Sequence, residues 1–278
     1  MERPAQWVRA WKPEVPGIHE VFHARFVDHA YPAHTHDTWT VFTLDEGSIA
    51  YDLERRHRGV RGSKLTLLPP HVVHDGRPAA ITGYRKRVLY VGTEILGEHL
   101  IGAVVDRPDV LDHSLVRGFR SLHRALASPG DTFEAESIFA LVTARLLEHL
   151  GDPSGDDVEP DGSTAEDLRD LLDARSFVGI TLAEAGRILD VSPAHLVRAF
   201  TRRFGISPHR YLVGRRIDVA RRRLLEGRPP ADVAAEVGFH DQAHFTKHFK
   251  RHVGITPGSF RSARSPTASR RVEDRSGT

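Results

Sequence analysis

One interval constrains this chain more than any other feature. Ala199 to Leu212 reads AFTRRFGISPHRYL, and His248 to Arg261 reads HFKRHVGITPGSFR. Phe200 falls on Phe249, Gly205 on Gly254, Ile206 on Ile255 and Pro208 on Pro257, each 49 positions apart. The match extends backwards: Ala194, His195 and Leu196 fall on Ala243, His244 and Phe245, and Ala185 falls on Ala234. Self-similarity at one fixed offset marks a supersecondary unit present twice. Each copy carries the punctuation of two short helices. Thr181 and Glu184 have capping-box spacing ahead of the apolar positions Leu182, Ala185 and Leu189. After a break at Asp190 and Val191, Ser192 and Pro193 supply an N-cap and a first-turn proline for a second helix, which Gly205 ends. The second copy starts at Pro229 and Pro230, turns at Gly238, restarts with Asp241 as N-cap and stops at Gly254. Such a helix-turn-helix presents its second helix to a major groove.

Between the copies, Ser207 to Glu226 reads as one longer helix closed by Gly227. Its outer face is basic, through Arg210, Arg215, Arg216, Arg221, Arg222 and Arg223. At ~1.5 Å per residue it gives a spacer of roughly 27 Å, near the ~34 Å turn of a duplex. The formal net charge of +2 hides an asymmetry. Residues 1–150 hold 18 Lys+Arg against 19 Asp+Glu, residues 151–175 hold 2 against 9, and residues 176–264 hold 16 against 7. Positive charge therefore gathers where the repeats lie, as a polyanion partner requires.

The first half has a different period. Short runs rich in β-formers occupy residues 19–27, 38–44, 48–53, 64–68 and 84–91, with turn signals at Asp45–Gly47, Gly59, Gly62, Pro69–Pro70 and Gly76. That spacing predicts a small barrel or sandwich. Residues 1–17 read as an irregular lead-in or edge strand. From Thr93 the apolar spacing becomes helical and predicts helices over residues 94–105, 110–127 and 132–150, with Asp109 and Asp131 as N-caps. Residues 151–162 (GDPSGDDVEPDG) are linker in composition. The chain has no cysteine, which excludes disulfides, thiolate metal sites and cysteine nucleophiles. No stretch has the length to span a bilayer, and the N-terminal residues lack a signal-peptide apolar core. A cytoplasmic protein with no membrane partner is expected.

These motifs can be compared with known families. The stretch from Val191 to Arg261 resembles the DNA-binding domain of AraC-type transcription regulators, which is a seven-helix unit with two helix-turn-helix motifs joined by a long helix. His34, His36 and Gly47, followed by Gly62, Pro69, Pro70 and His74, resemble the two motifs of the cupin barrel that commonly forms the sensing half of such regulators. The implied fold class is α+β. It consists of a cupin-like barrel with a helical dimerisation segment over residues 1–150 and an acidic linker over 151–162. An all-α double helix-turn-helix domain over 163–265 and a disordered tail over 266–278 complete the chain. The implied partners are double-stranded DNA at an operator, a small-molecule effector and a second copy of the chain, with RNA polymerase left open. The helix over residues 110–127 is the favoured dimer contact.

The side chains expected at DNA are Ala194, His195, Val197, Arg198 and Arg202 from the first unit. From the second they are Gln242, Ala243, His244, Thr246, Lys247 and Lys250. Arg198 can grip guanine through two bonds, and Gln242 suits adenine. Those expected around an effector are His34, His36, Trp39, Tyr51, His74 and Tyr84. A metal-binding cupin places a glutamate a few residues after its two histidines, whereas Asp37, Thr38, Trp39, Thr40 and Val41 stand there, with no glutamate. No metal and no cofactor are therefore expected. Two other functions compete with the regulator: a metal-dependent cupin enzyme fused to a DNA-targeting domain, and a ligand-independent DNA binder. The absence of a convergent acid–base set argues against the enzyme.

Overall fold

The structure, a computed structural model, describes residues 6–128, 130–151 and 162–262. The expected tail and nearly all of the expected linker lie outside the described residues. The first half is antiparallel β: β1 (Trp7–Trp11), β2 (Ile18–Phe26), β3 (Tyr31–His34), β4 (Trp39–Leu53), β5 (Arg56–Arg61), β6 (Leu65–Leu68), β7 (His74–Pro78), β8 (Tyr84–Val91) and β9 (Asp109–Val110). The strand order β1-β2-β8-β4-β6-β9 forms one layer, and β3, β5 and β7 curl over it.

β4 belongs to both layers. Residues 39–47 pair with β8, and residues 48–53 pair with β5. The turn expected at Asp45–Gly47 is instead a bulge in a continuous strand, with the register shifting between Leu44 and Glu46. A bulge bends the strand without ending its pairing. Gly47 makes the bend feasible: its φ is +76°, and any Cβ there would strike the carbonyl of Gly83.

Side-chain alternation along β4 divides two cores. Trp39 and Val41 face outward, into a cluster with Leu89, Leu115, Phe119, Phe139 and Val142 from the sheet and its covering helices. Phe42, Leu44, Ile49, Tyr51 and Leu53 face the barrel interior with Tyr84 and Val88.

A 3-10 turn (Glu98–Leu100) leads into α1 (Ile101–Asp106), followed by α2 (His113–Leu126) and α3 (Thr132–Leu150). Two helix starts differ from the sequence reading. Helical structure begins at Glu98 rather than Glu94, and α2 begins three residues later than expected. Asp109 and Val110 pair with β6, where Asp109 accepts from Thr66 Oγ1 at 2.7 Å and Lys64 Nζ at 2.6 Å. Asp112 is the actual cap, accepting from the Ser114 and Leu115 amides. A carboxylate can serve a strand or a helix end, and tertiary pairing decided which.

Among the described residues the second half holds seven helices: α4 (Gly162–Ala174), α5 (Leu182–Leu189), α6 (Pro193–Phe204), α7 (Pro208–Leu225), α8 (Pro230–Glu236), α9 (Gln242–Val253) and α10 (Pro257–Ser262). The expected signals operate here. Thr181 and Glu184 form a complete capping box on α5, Ser192 caps α6, Ser207 caps α7 and Asp241 caps α9. Gly205 and Gly254 close α6 and α9 in the left-handed region. Each unit has its own core, around Leu196 and Phe200 in the first and Phe245 and Phe249 in the second.

Candidate nucleic-acid interface and sensor cavity

The two recognition helices are α6 and α9, and α3 of the sensor half lies against both units. Phe133 and Ala140 of α3 pack on the core that holds Leu196, Val197 and Phe200 of the first unit. Near its C-terminus, Glu148 Oε1 stands 4.0 Å from Arg198 Nη1. At its N-terminus, Asp131 Oδ2 stands 3.4 Å from Lys247 Nζ, and Asp131 Oδ1 stands 2.8 Å from His244 Nε2. Arg198 and Lys247 are equivalent residues in the repeat, 49 positions apart. Each therefore meets an acid from an opposite end of one 19-residue helix. At ~1.5 Å per residue α3 is about 28 Å long, comparable with the spacing two recognition helices need.

This docking sorts the residues expected at DNA. Arg202, Gln242, Ala243, Lys247 and Lys250 are exposed, and Ala194, Arg198 and Thr246 are half-buried. His195, Val197 and His244 are buried, at 5%, 1% and 9% exposure. In this arrangement those three are packing residues, and His244 is tied to Asp131. Several basic residues are likewise occupied: Arg203 pairs with Glu166, Arg215 with Asp173, and Arg223 with Glu226 and Glu236. Arg216 donates to the Ser176 carbonyl at 2.7 Å. Glu166 and Asp173 of α4 thus brace α6 and α7.

Asp131 sits at the N-cap of α3, as expected, yet its side chain caps nothing. Burial opposes its charge. Hydrogen bonds from His244 and His248, with Lys247 nearby, outweigh that and hold the carboxyl well below the usual range. One turn along α3, Glu136 Oε2 accepts from the Leu182 amide of α5 at 2.5 Å, across the two halves. Its other oxygen is buried without a partner. Burial raises Glu136 to about 7; the Leu182 amide opposes this and Glu184 adds to it. A cleft of about 440 Å³, lined by Phe139, Ala140, Leu147, Leu182, Pro193 and Arg198, separates α3 from the first unit beside this carboxyl.

The barrel cavity is smaller, about 80 Å³. His34, His36, His74, Tyr51 and Tyr84 line it, as expected. Trp39 does not. It is fully buried on the opposite face of β4, because its parity in the strand points it at the covering helices. The sequence reading missed Tyr31, Lys86 and Tyr90 in the lining. Lys86 lies 4.4 Å from the Tyr31 ring, and burial lowers it to about 8. Alternation along β8 could have pointed to it, since Tyr84, Lys86, Val88 and Tyr90 share one face.

Four buried polar atoms around this cavity have no protein partner: Thr40 Oγ1, Tyr51 OH, His74 Nε2 and Tyr84 OH. The Nδ1 atoms of His34 and His74 are bonded to the Pro32 and Val72 carbonyls, at 2.7 and 3.0 Å. Burial lowers His74 to about 4, against the Val72 bond, and also lowers His36. The three imidazoles could hold a metal ion by proximity. The charge around them fits one poorly: the Lys86 ammonium lines the same cavity, and no glutamate stands in the stretch from Asp37 to Val41.

Comparison with known proteins agrees with both halves. A family described as the AraC-like ligand binding domain matches residues 16–142, and one described as a helix-turn-helix domain matches residues 186–263. The chain belongs to the AraC-type transcription regulators. It is similar to the uncharacterized HTH-type transcriptional regulator YbfI of Bacillus subtilis, at 24% identity over 82% of this chain and 86% of that one. It also resembles the uncharacterized HTH-type transcriptional regulator YdiP of Escherichia coli, at 32% identity over 30% of this chain and 27% of that one. Among solved structures, the C-terminal domain of AraT from Geobacillus stearothermophilus aligns at 26% identity and a TM-score of 0.35, over 42% of this chain and 98% of that one. As an AraC-type regulator, the chain joins an effector-binding sensor half to a helix-turn-helix half that binds DNA. No helix among the described residues is long and apolar enough to cross a membrane.

Proposed function

We propose that the docked arrangement is the low-affinity state of a one-component regulator, and that the effector is a small polar molecule bearing an acidic group. The observation that carries the first part is the double grip of α3: one sensor helix meets the equivalent cations Arg198 and Lys247 of both recognition helices. A duplex would need those cations, so operator binding and docking compete. Arg198, Gln242, Thr246 and Lys247 then read bases, while Arg202 and Lys250 with Ala194 and Ala243 line the contact. His195, Val197 and His244 support it from beneath.

The effector class follows from Lys86 and the four unpartnered polar atoms around the barrel cavity. A buried polar atom without a partner is destabilising unless a water or ligand satisfies it. His34, His36, His74, Tyr51 and Tyr84 offer hydrogen bonds, and Lys86 offers the charge. We read the chain as a cytoplasmic non-enzyme with no cofactor in its sensor barrel, working as a homodimer, with RNA polymerase a further partner at the promoter. Residues 1–150 form the sensor half and 163–265 the DNA half. The apolar residues of α2 face inward, so a dimer contact there would use His113, Arg117 and Arg124.

The test is operator affinity of the full chain against that of residues 163–265 alone. The fragment should bind more tightly, by roughly 10-fold or more if docking is worth ~1.4 kcal/mol. Equal affinities at all salt concentrations would remove docking as a control. A thermal-shift screen of small organic acids, repeated on Lys86→Met, tests the effector class. A stabilising acid that works equally on the variant would overturn the role of Lys86.

A further inference from the structure

Two histidine clusters occur among the described residues, and they differ in one respect that matters to a cation. The barrel cluster has three imidazoles and no carboxylate among its candidate ligands, with Lys86 and Asp75 elsewhere in the cavity lining. The second lies where the halves meet and is built around a carboxylate. His244 and His248, four residues apart on α9, both turn Nε2 toward Asp131 Oδ1, at 2.8 and 3.3 Å. His209, in the first turn of α7, has a ring nitrogen within 4.8 Å of a carboxylate oxygen of Asp131 and one of Glu134. The His209 ring lies 6.1 Å from that of His248.

From these residues we infer that Asp131, His244 and His248 form a site for a divalent transition-metal ion of the zinc class, joining the sensor half to the second recognition helix, with His209 of the adjoining Asp131–Glu134–His209 group as the fourth ligand once its ring moves in. Three features support it. Donors ~2.0–2.1 Å from a tetrahedral zinc ion stand ~3.3 Å apart, so the Asp131–His248 separation already fits and the Asp131–His244 pair need open only slightly. Two imidazoles and a carboxylate in one group, with a third imidazole in the group that shares Asp131, suit zinc in kind. All four residues are at most 9% exposed, so an ion there would be shielded from water. Glu134, with Oε2 4.0 Å from His209 Nδ1, shares the His209 nitrogen's surroundings with Asp131 and adds a second carboxylate beside the site. Lys247 is the competing cation at Asp131. Its side chain is 61% exposed and can leave for solvent as the ion enters.

A metal here would fasten α9 to α3 and oppose groove insertion. That consequence rests on the proposed docking control, whereas occupancy of the site does not. The test therefore reads the metal directly. The full chain is stripped with chelator and titrated with Co(II) as wild type, His36→Ala, His248→Asn and His209→Asn, with folding checked by circular dichroism. Wild type and His36→Ala should take up one Co(II) with the intense visible bands of a tetrahedral nitrogen–oxygen site. His248→Asn and His209→Asn should each weaken binding by ~100-fold or more. Thermal melting of His36→Ala should rise with Co(II) or Zn(II), and that of His248→Asn should not. Bands lost in His36→Ala but kept in His248→Asn would put the ion in the barrel and overturn the inference. Absence of binding in every folded variant would also overturn it and leave a hydrogen-bonded ion cluster. If Co(II) binds as expected but operator affinity is unchanged by metal, the site stands and the docking control fails.

Discussion

The two helix-turn-helix units share a plan and differ in how the sensor half holds them. On the first, α3 lays Phe133 and Ala140 over an apolar core and adds Glu136 at the α5 N-terminus. On the second, the polar contact centres on one carboxylate, Asp131, receiving His244, His248 and Lys247, with Gly130 packed beside His240 and His244. Position 49 residues apart explains part of the difference. Where the first unit has the small Ala199, the second has His248, which reaches Asp131. The apolar contact depends weakly on conditions. The charged one depends on every proton and ion that reaches it. A duplicated motif thus gives one sensor helix two unlike handles.

Breaking the charged handle should have the largest effect. Asp131→Asn leaves the helix-cap position polar but removes the charge facing three donors. Losing one partner of a buried ion cluster costs about 3–5 kcal/mol. Amide exchange in α9 should accelerate in the full chain and operator affinity should rise, while α6 keeps its protection. Unchanged exchange in α9 would mean that the second unit is not held by Asp131.

Proton release at Glu136 probes the first handle. Its docked pKa is about 7 against an ordinary 4.5, so the docked state holds a proton that the released state has lost. Docking is therefore strongest below pH ~4.5, weakens as pH rises and levels off above pH ~7, a loss of roughly 3 kcal/mol overall. Exchange protection in α5 and α6 should fall over that window, and Glu136→Gln should abolish the dependence. A profile identical in Glu136→Gln would assign the titration elsewhere.

Arg198→Ala compares the equivalent cations. At the specific operator it should cost about 1.5 kcal/mol and relax preference at one base position. Its exposed pair with Glu148 contributes little to docking. If specific and random DNA weaken equally, Arg198 touches only phosphate. The smallest effect tests the caps. α5 has a capping box, whereas α8 starts at Pro229 with no side-chain cap. Thr181→Ala should destabilise the first unit by about 1 kcal/mol, read by thermal melting. No shift would mean that packing alone sets that helix start.

Much of the helical half was legible in order, because its signals are local. Ser192, Ser207 and Asp241 each cap through an amide three residues on, and the 49-residue interval placed both recognition helices without any knowledge of packing. The barrel was legible as strands but less so as a cavity. Trp39 and Lys86 exchanged places relative to the expected lining because a bulge and strand parity, not composition, decide which face a residue takes.

The chain order by itself determined the α+β division, the repeated unit, the concentration of positive charge over residues 176–264 and the histidines of the barrel. Each is a matter of spacing within a few residues or of composition along a segment. Tertiary structure alone decided that Asp131 faces α9 rather than capping α3, and that Glu136 reaches α5 and Glu148 reaches Arg198. Asp131 and His244 are 113 positions apart. Carboxylates are equally at home as caps, surface charges or buried ion partners, and only the packing of α3 across both units selects among those roles.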